Sequence, residues 1–110
     1  MKAWEIWTGP LFGPAHPVLL ISAQERIDRK QFVVVLKGST MRPGQPFKTD
    51  ALQTTLDQED GLNWQTRFDC DLFYTLEKKD ITHKRGEVRS TERQRDISRK
   101  IIQGLALAGL

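Results

Sequence analysis

Two runs of branched apolar residues, Pro17-Val-Leu-Leu-Ile-Ser22 and Gln31-Phe-Val-Val-Val-Leu-Lys37, restrict the folds open to this chain more than any other feature. Each has the length of a strand, and neither alternates between apolar and polar positions. Both therefore read as strands buried on two faces at the centre of a sheet. The polar segment AQERIDRK separates them.

Glycine and proline punctuate the rest. Ala3 to Trp7 reads as a short strand ended by Gly9 and Pro10, and GPLFGPAHP, with three prolines and two glycines, as an irregular loop. GSTMRPGQP, residues 38–46, reads as a second such loop carrying Ser39, Thr40 and Arg42, with a further strand expected near Phe47. A polar connection from Gln53 to Asn63, broken by Gly61, then leads to TRFDCDLFY at residues 66–74. There the period is two: Phe68, Cys70, Leu72, Tyr74 and Leu76 are expected on a core face, with Arg67, Asp69 and Asp71 on the other.

After the turn-like EKKDITHKRGE, Ser90 or Thr91 is placed to cap a helix, Thr91 and Gln94 having capping-box spacing. Ile97, Ile101 and Leu105 recur every four residues with Ile102 beside them, so the closing helix is amphipathic and covers a sheet face. Gly104 costs it about 1 kcal/mol relative to alanine. About five strands and one helix in 110 residues imply a single domain over residues 1–110, mostly β with a C-terminal helix. The expected architecture is a small barrel or a curled, mostly antiparallel sheet.

Bulk properties exclude several classes. The N-terminus has no basic segment followed by an apolar one, so neither a signal peptide nor a membrane span is expected and the cytoplasm is the expected location. The lone Cys70 can make no internal disulfide and no cysteine zinc site. Net charge is only +3, but His83 to Lys100 holds seven of the lysines and arginines against three acidic residues. That run suits either a phosphate-binding helix or a solvated face of mixed charge.

No P-loop, G-x-S-x-G elbow, H-E-x-x-H or Cys/His cluster occurs. The polar groups left in loops and on one strand face are His16, Ser39, Thr40, Arg42, Arg67, Asp69, Asp71 and His83. His16 reads as a surface histidine or as an acid or base near neutral pH. Ser39 and Thr40 either satisfy turn backbone groups or bind a ligand, and Arg42 faces solvent in the simplest case. Residues two apart on a strand lie about 6.6 Å from each other, so Arg67, Asp69 and Asp71 form an exposed ion pair, an acid/base site or, least supported, a metal-binding pair.

The order WEIW, HPVLLIS, FVVVLKGST, PF, CDLFYTLEKKDI, a glycine-containing segment and an amphipathic helix resembles the MazF/PemK family of toxin–antitoxin ribonucleases, from about Trp4 to Leu107. Pro17 to Ser22 is similar to the family's Arg-Pro-Val strand. Cys70-Asp71 followed by Thr75 is similar to its Arg-Cys-Asp-Gln strand with a later threonine. The resemblance implies a dimeric SH3-like, CcdB-like barrel that cuts single-stranded RNA without a metal or other cofactor, and an acidic antitoxin segment that covers the groove. In that chemistry a base helps the ribose 2′-oxygen attack the phosphate, an acid protonates the departing 5′-oxygen, and cations or hydroxyls hold the phosphate.

Carried over, Asp71 matches the strand aspartate, and Thr40, with Ser39, matches the hydroxyl residue after the third strand. The chain departs from the pattern where His16 and Asp69 stand in place of two arginines. A carboxylate in place of a guanidinium repels phosphate unless another cation compensates. Arg67 is placed to do so, His16 to act as acid or base, and Lys37 and Arg42 to bind the backbone. The reading is thus a toxin endoribonuclease with an altered site. The alternatives are an inactive protein of the same fold that binds protein or nucleic acid, and a basic adaptor using Arg93, Arg95 and Arg99.

Overall fold

In the computed structural model, which describes residues 1–11, 13, 15–42 and 49–107, the elements follow the order β1 (Glu5–Pro10), β2 (Ala15–Leu20), α1 (Gln24–Arg29), β3 (Phe32–Thr40), β4 (Gln53–Leu56), β5 (Thr66–Glu77), β6 (Thr82–Glu87) and α2 (Thr91–Gln103). The strands form one antiparallel sheet in the order β4-β5-β3-β2-β1-β6, curled into a half-barrel. Short 3-10 turns lie at Gln58–Asp60 and Lys78–Asp80.

The two apolar runs are the central strands, and their continuity has a direct cause. Leu19 and Leu36 point into one cluster with Ile6, Leu56, Phe68, Cys70 and Val88, closed by Ile97 of α2. Val18, Leu20, Val33 and Val35 point into a second, closed by Ile27 of α1. Successive side chains enter opposite faces, so a strand covered on both sides has no polar position to spare.

β5 departs from the single alternation expected of it. Leu36 lies opposite Phe73 and Gly38 opposite Phe68, so a step of two residues on β3 faces a step of five on β5. This irregularity changes the phase of the strand. Phe68 and Cys70 stay in the first cluster, Tyr74 and Leu76 pack against the second, and Leu72 is 49% exposed.

Other boundaries also differ from the sequence reading. Gly9 and Pro10 belong to β1, and Gly38 to Thr40 extend β3 rather than forming a loop. β4 occupies part of the expected polar connection, and β6 most of the expected turn. Both are edge strands whose polar sequences carry no apolar alternation; pairing with β5 and β1 makes them strands. The strand expected near Phe47 falls outside the described residues. Ser90, not Thr91, caps α2, its hydroxyl accepting a hydrogen bond from the Arg93 amide. The helix stops at Gln103, so Leu105 lies beyond it. Among the described residues no helix is long and apolar enough to cross a membrane.

Candidate functional site

At one end of the sheet, β2, β3 and β5 present their last polar side chains together. Ser39 lies directly opposite Arg67, and Arg67 is opposite Thr55 on its other side. Lys37 is opposite Val18, and His16 is two residues before Val18 on β2. Cross-strand partners, and residues two apart, share a face. His16, Lys37, Ser39 and Arg67 therefore stand on the face that carries the second cluster, just beyond its apolar edge. Burial, followed by the charges of Lys37 and Arg85, holds the His16 imidazole below the usual histidine range. The ring is accordingly neutral at pH 7, a base among cations.

The carboxylates take other positions. Asp69 faces Gln53 of β4, and its Oδ1 accepts a 2.6 Å hydrogen bond from Gln53 Nε2. That bond draws the charge toward β4, on the side of β5 away from Ser39. Asp71 is exposed, in the stretch of β5 that shifts against β3, and lies beneath the end of α2. Four residues of strand put it about 13 Å from Arg67. Arg42 is exposed beyond the end of β3.

Thr40 belongs to the opposite face. It pairs with Thr66, and both line a cavity of about 550 Å³ together with Thr8, Pro17, Trp64 and Arg85. β6 builds one wall. Ile6 faces Gly86 while Thr8 faces Thr82, so residues 83–85 bulge from the ladder. His83 takes the left-handed conformation there, φ 40°, which is uncommon outside glycine. The Thr8 hydroxyl ties the bulge down: it donates to the His83 carbonyl (3.2 Å) and accepts from Arg85 Nε (2.8 Å). Sequence reading missed Thr8, Trp64 and Arg85 as site residues. The only available signal was Arg85 within the basic run.

That basic run is largely paired within the molecule. Arg93 contacts Asp57, Glu59 and the buried Asp60; Arg99 and Lys100 both contact Asp96; Arg89 contacts Glu87. Lys84 pairs with the buried Glu5 at 2.8 Å. Burial pushes the Glu5 carboxyl up, but hydrogen bonds from Lys84, the Lys2 amide and Trp7 outweigh it and leave it below the usual range. These pairings weigh against a helix that grips nucleic acid by Arg93 and Arg99. Cys70 is buried, and that burial pushes its thiol up to about 11, which disfavours the thiolate a nucleophile needs. Among the described residues no group of three His, Cys, Asp or Glu is placed to hold a metal ion.

No family model and no curated protein matches the sequence. Solved structures do match. An endoribonuclease in complex with its cognate antitoxin from Mycobacterial species superposes with a TM-score of 0.81 at 21% identity, covering 97% of this chain and 96% of that one. The Mycobacterium tuberculosis toxin MazF-mt6 gives 0.74 at 21% identity, covering 91% and 94%. A chain of the MazE-MazF crystal structure from Deinococcus radiodurans gives 0.68 at 14% identity, covering 96% and 97%. Over almost its whole length, the chain has the fold of the MazF toxins.

Proposed function

We propose that this protein is a toxin of a type II toxin–antitoxin system, a metal-independent endoribonuclease that cuts single-stranded RNA in the cytoplasm with an altered active site. The observation that carries the reading is the row of His16, Lys37, Ser39 and Arg67 at one end of a fold shared with endoribonuclease toxins. Neutral His16 takes the proton of the ribose 2′-hydroxyl as the 2′-oxygen bonds to phosphorus. The bond from phosphorus to the 5′-oxygen breaks, and that oxygen leaves with a proton from an acid. Arg67, Lys37 and the Ser39 hydroxyl hold the phosphate as its charge redistributes.

Arg67 thus supplies, two residues earlier on β5, the cation that the family pattern has where Asp69 stands. Asp71 keeps a catalytic place through its match to the family's strand aspartate. Thr40, Arg42 and Asp69 adjoin the RNA path rather than the reacting phosphate. The cognate antitoxin is an acidic segment attracted to the same cations, and the working unit is a homodimer.

A second reading, an inactive binding protein of the same fold, is favoured by the carboxylate of Asp69 two residues from Arg67. Incubating the purified protein with mixed single-stranded RNA in chelator separates the two. Cleavage leaving 2′,3′-cyclic phosphate ends, lost in His16→Ala and Arg67→Ala and reduced in Asp71→Ala, supports the enzyme. RNA that is bound but intact across several sequences establishes the binding protein.

A further inference from the structure

The cavity and the row are built, on opposite faces of the sheet, by neighbouring residues of the same three strand ends. Pro17, Thr40 and Thr66 line the cavity, while His16, Ser39 and Arg67, each next in sequence, stand in the row. Consecutive Cα atoms are 3.8 Å apart, so a polynucleotide passing over these strand ends meets both. Trp64 at the cavity's rim is 53% exposed, an indole that the core does not use. Thr40 and Asn63 bring a hydroxyl and an amide, which offer both donors and acceptors to a base edge.

The cation here is Arg85. Lys84 is already engaged by Glu5 and Glu87, whereas Arg85 spends its Nε on Thr8 and keeps the rest of its fork for an oxyanion. Arg85 also belongs to both places, since it lines the cavity and its charge reaches His16. At about 550 Å³ the cavity is of ligand-binding size. The left-handed His83, held by Thr8, presents Arg85 on a constrained bulge rather than a free loop.

We propose that this cavity is a base-binding subsite for single-stranded RNA, in which an unstacked nucleobase lies against the Trp64 indole while Arg85 holds the phosphate leading from that nucleotide to the row. The proposal rests on the endoribonuclease reading above. Stacking on an aromatic side chain accepts any base, and the edge contacts from Thr40 and Asn63 add preference at that one position.

The test uses His16→Ala protein, which is expected to bind without cutting, titrated with a mixed-sequence single-stranded RNA oligomer while tryptophan fluorescence is followed. Adding Trp64→Leu should abolish most of the fluorescence change and weaken binding about tenfold. Trp64→Phe should restore most of the affinity. Arg85→Ala should lower the slope of log affinity against log salt by about one. In the protein that retains His16, Trp64→Leu should broaden the base preference at one position beside the cut. RNA cleavage with affinity and preference untouched by Trp64→Leu overturns the subsite and leaves the endoribonuclease reading standing. Failure of the unmodified protein to bind RNA overturns both. Trp64-dependent binding of an acidic peptide, with RNA affinity indifferent to Trp64, assigns the cavity to a protein partner instead.

Discussion

Gly104 at the end of α2 rests directly on Asp71 of β5: a β-carbon at position 104 would lie 2.6 Å from the Asp71 Cβ and 2.9 Å from its Cα. Its φ of −77° is ordinary for any residue, so space rather than backbone freedom requires glycine here. Helix propensity alone would have Gly104→Ala stabilise the protein. The contact predicts the reverse, a loss of about 1–3 kcal/mol in urea unfolding as the helix end lifts from the strand. A gain in stability would contradict the contact.

His16 should titrate below the ordinary histidine value of 6.5. Lys37→Ala and Arg85→Ala should each move it partway back, burial accounting for what remains. NMR titration of the two histidines, with His83→Gln to assign them, measures this directly. As pH falls below 6.5 the unfolded chain takes up the proton first, so this group's contribution to stability is complete above 6.5 and declines as pH drops through the folded value. RNA cleavage, if His16 is the base, should show its acidic limb in the same window.

Arg93 joins the first turn of α2 to the 3-10 turn at Gln58–Asp60. Its guanidinium lies 2.6 Å from both Glu59 and Asp60, and the Asp60 side chain is 1% exposed. Arg93→Ala should cost about 2–3 kcal/mol, chiefly because it strands the Asp60 carboxylate. Adding Asp60→Asn should recover part of that loss. A cost of only a few tenths would mean that the cluster behaves as exposed surface.

Arg67 and Asp69 should have opposite effects on RNA. Arg67→Ala is expected to lower the cleavage rate about 10²-fold or more, the scale seen when one donor to a reacting oxyanion is lost. Asp69→Asn removes a like charge from the neighbourhood of the phosphate and should tighten RNA binding, most visibly at low salt. Equal losses from the two substitutions would place Asp69 in the chemistry.

Much of the architecture was legible because burial writes itself into the central strands. Val18 to Leu20 and Val33 to Leu36 announce a sheet covered on both faces, and Ile97 with Ile101 announces the covering helix. β4 and β6 were not legible, since Gln53–Leu56 and Thr82–Glu87 are edge strands defined by their partners. The alternation of β5 was readable only to Cys70, because the shift opposite Leu36 and Gly38 is a property of pairing, not of local sequence. At the site, Ser39 meets Arg67 because β3 runs on through Gly38–Thr40, which reads as a loop in the sequence, whereas Thr40 falls on the opposite face. Arg85 reaches the same edge only through the bulge of β6.

The alternation at those strand ends gives neighbouring positions different duties. His16, Ser39 and Arg67 stand in the row on one face, while Pro17, Thr40 and Thr66 line the cavity on the other. A substitution in one set leaves the backbone of the other in place. Changes on the cavity side can therefore accumulate while the row is kept, a separation built into the two-residue repeat of a β-strand.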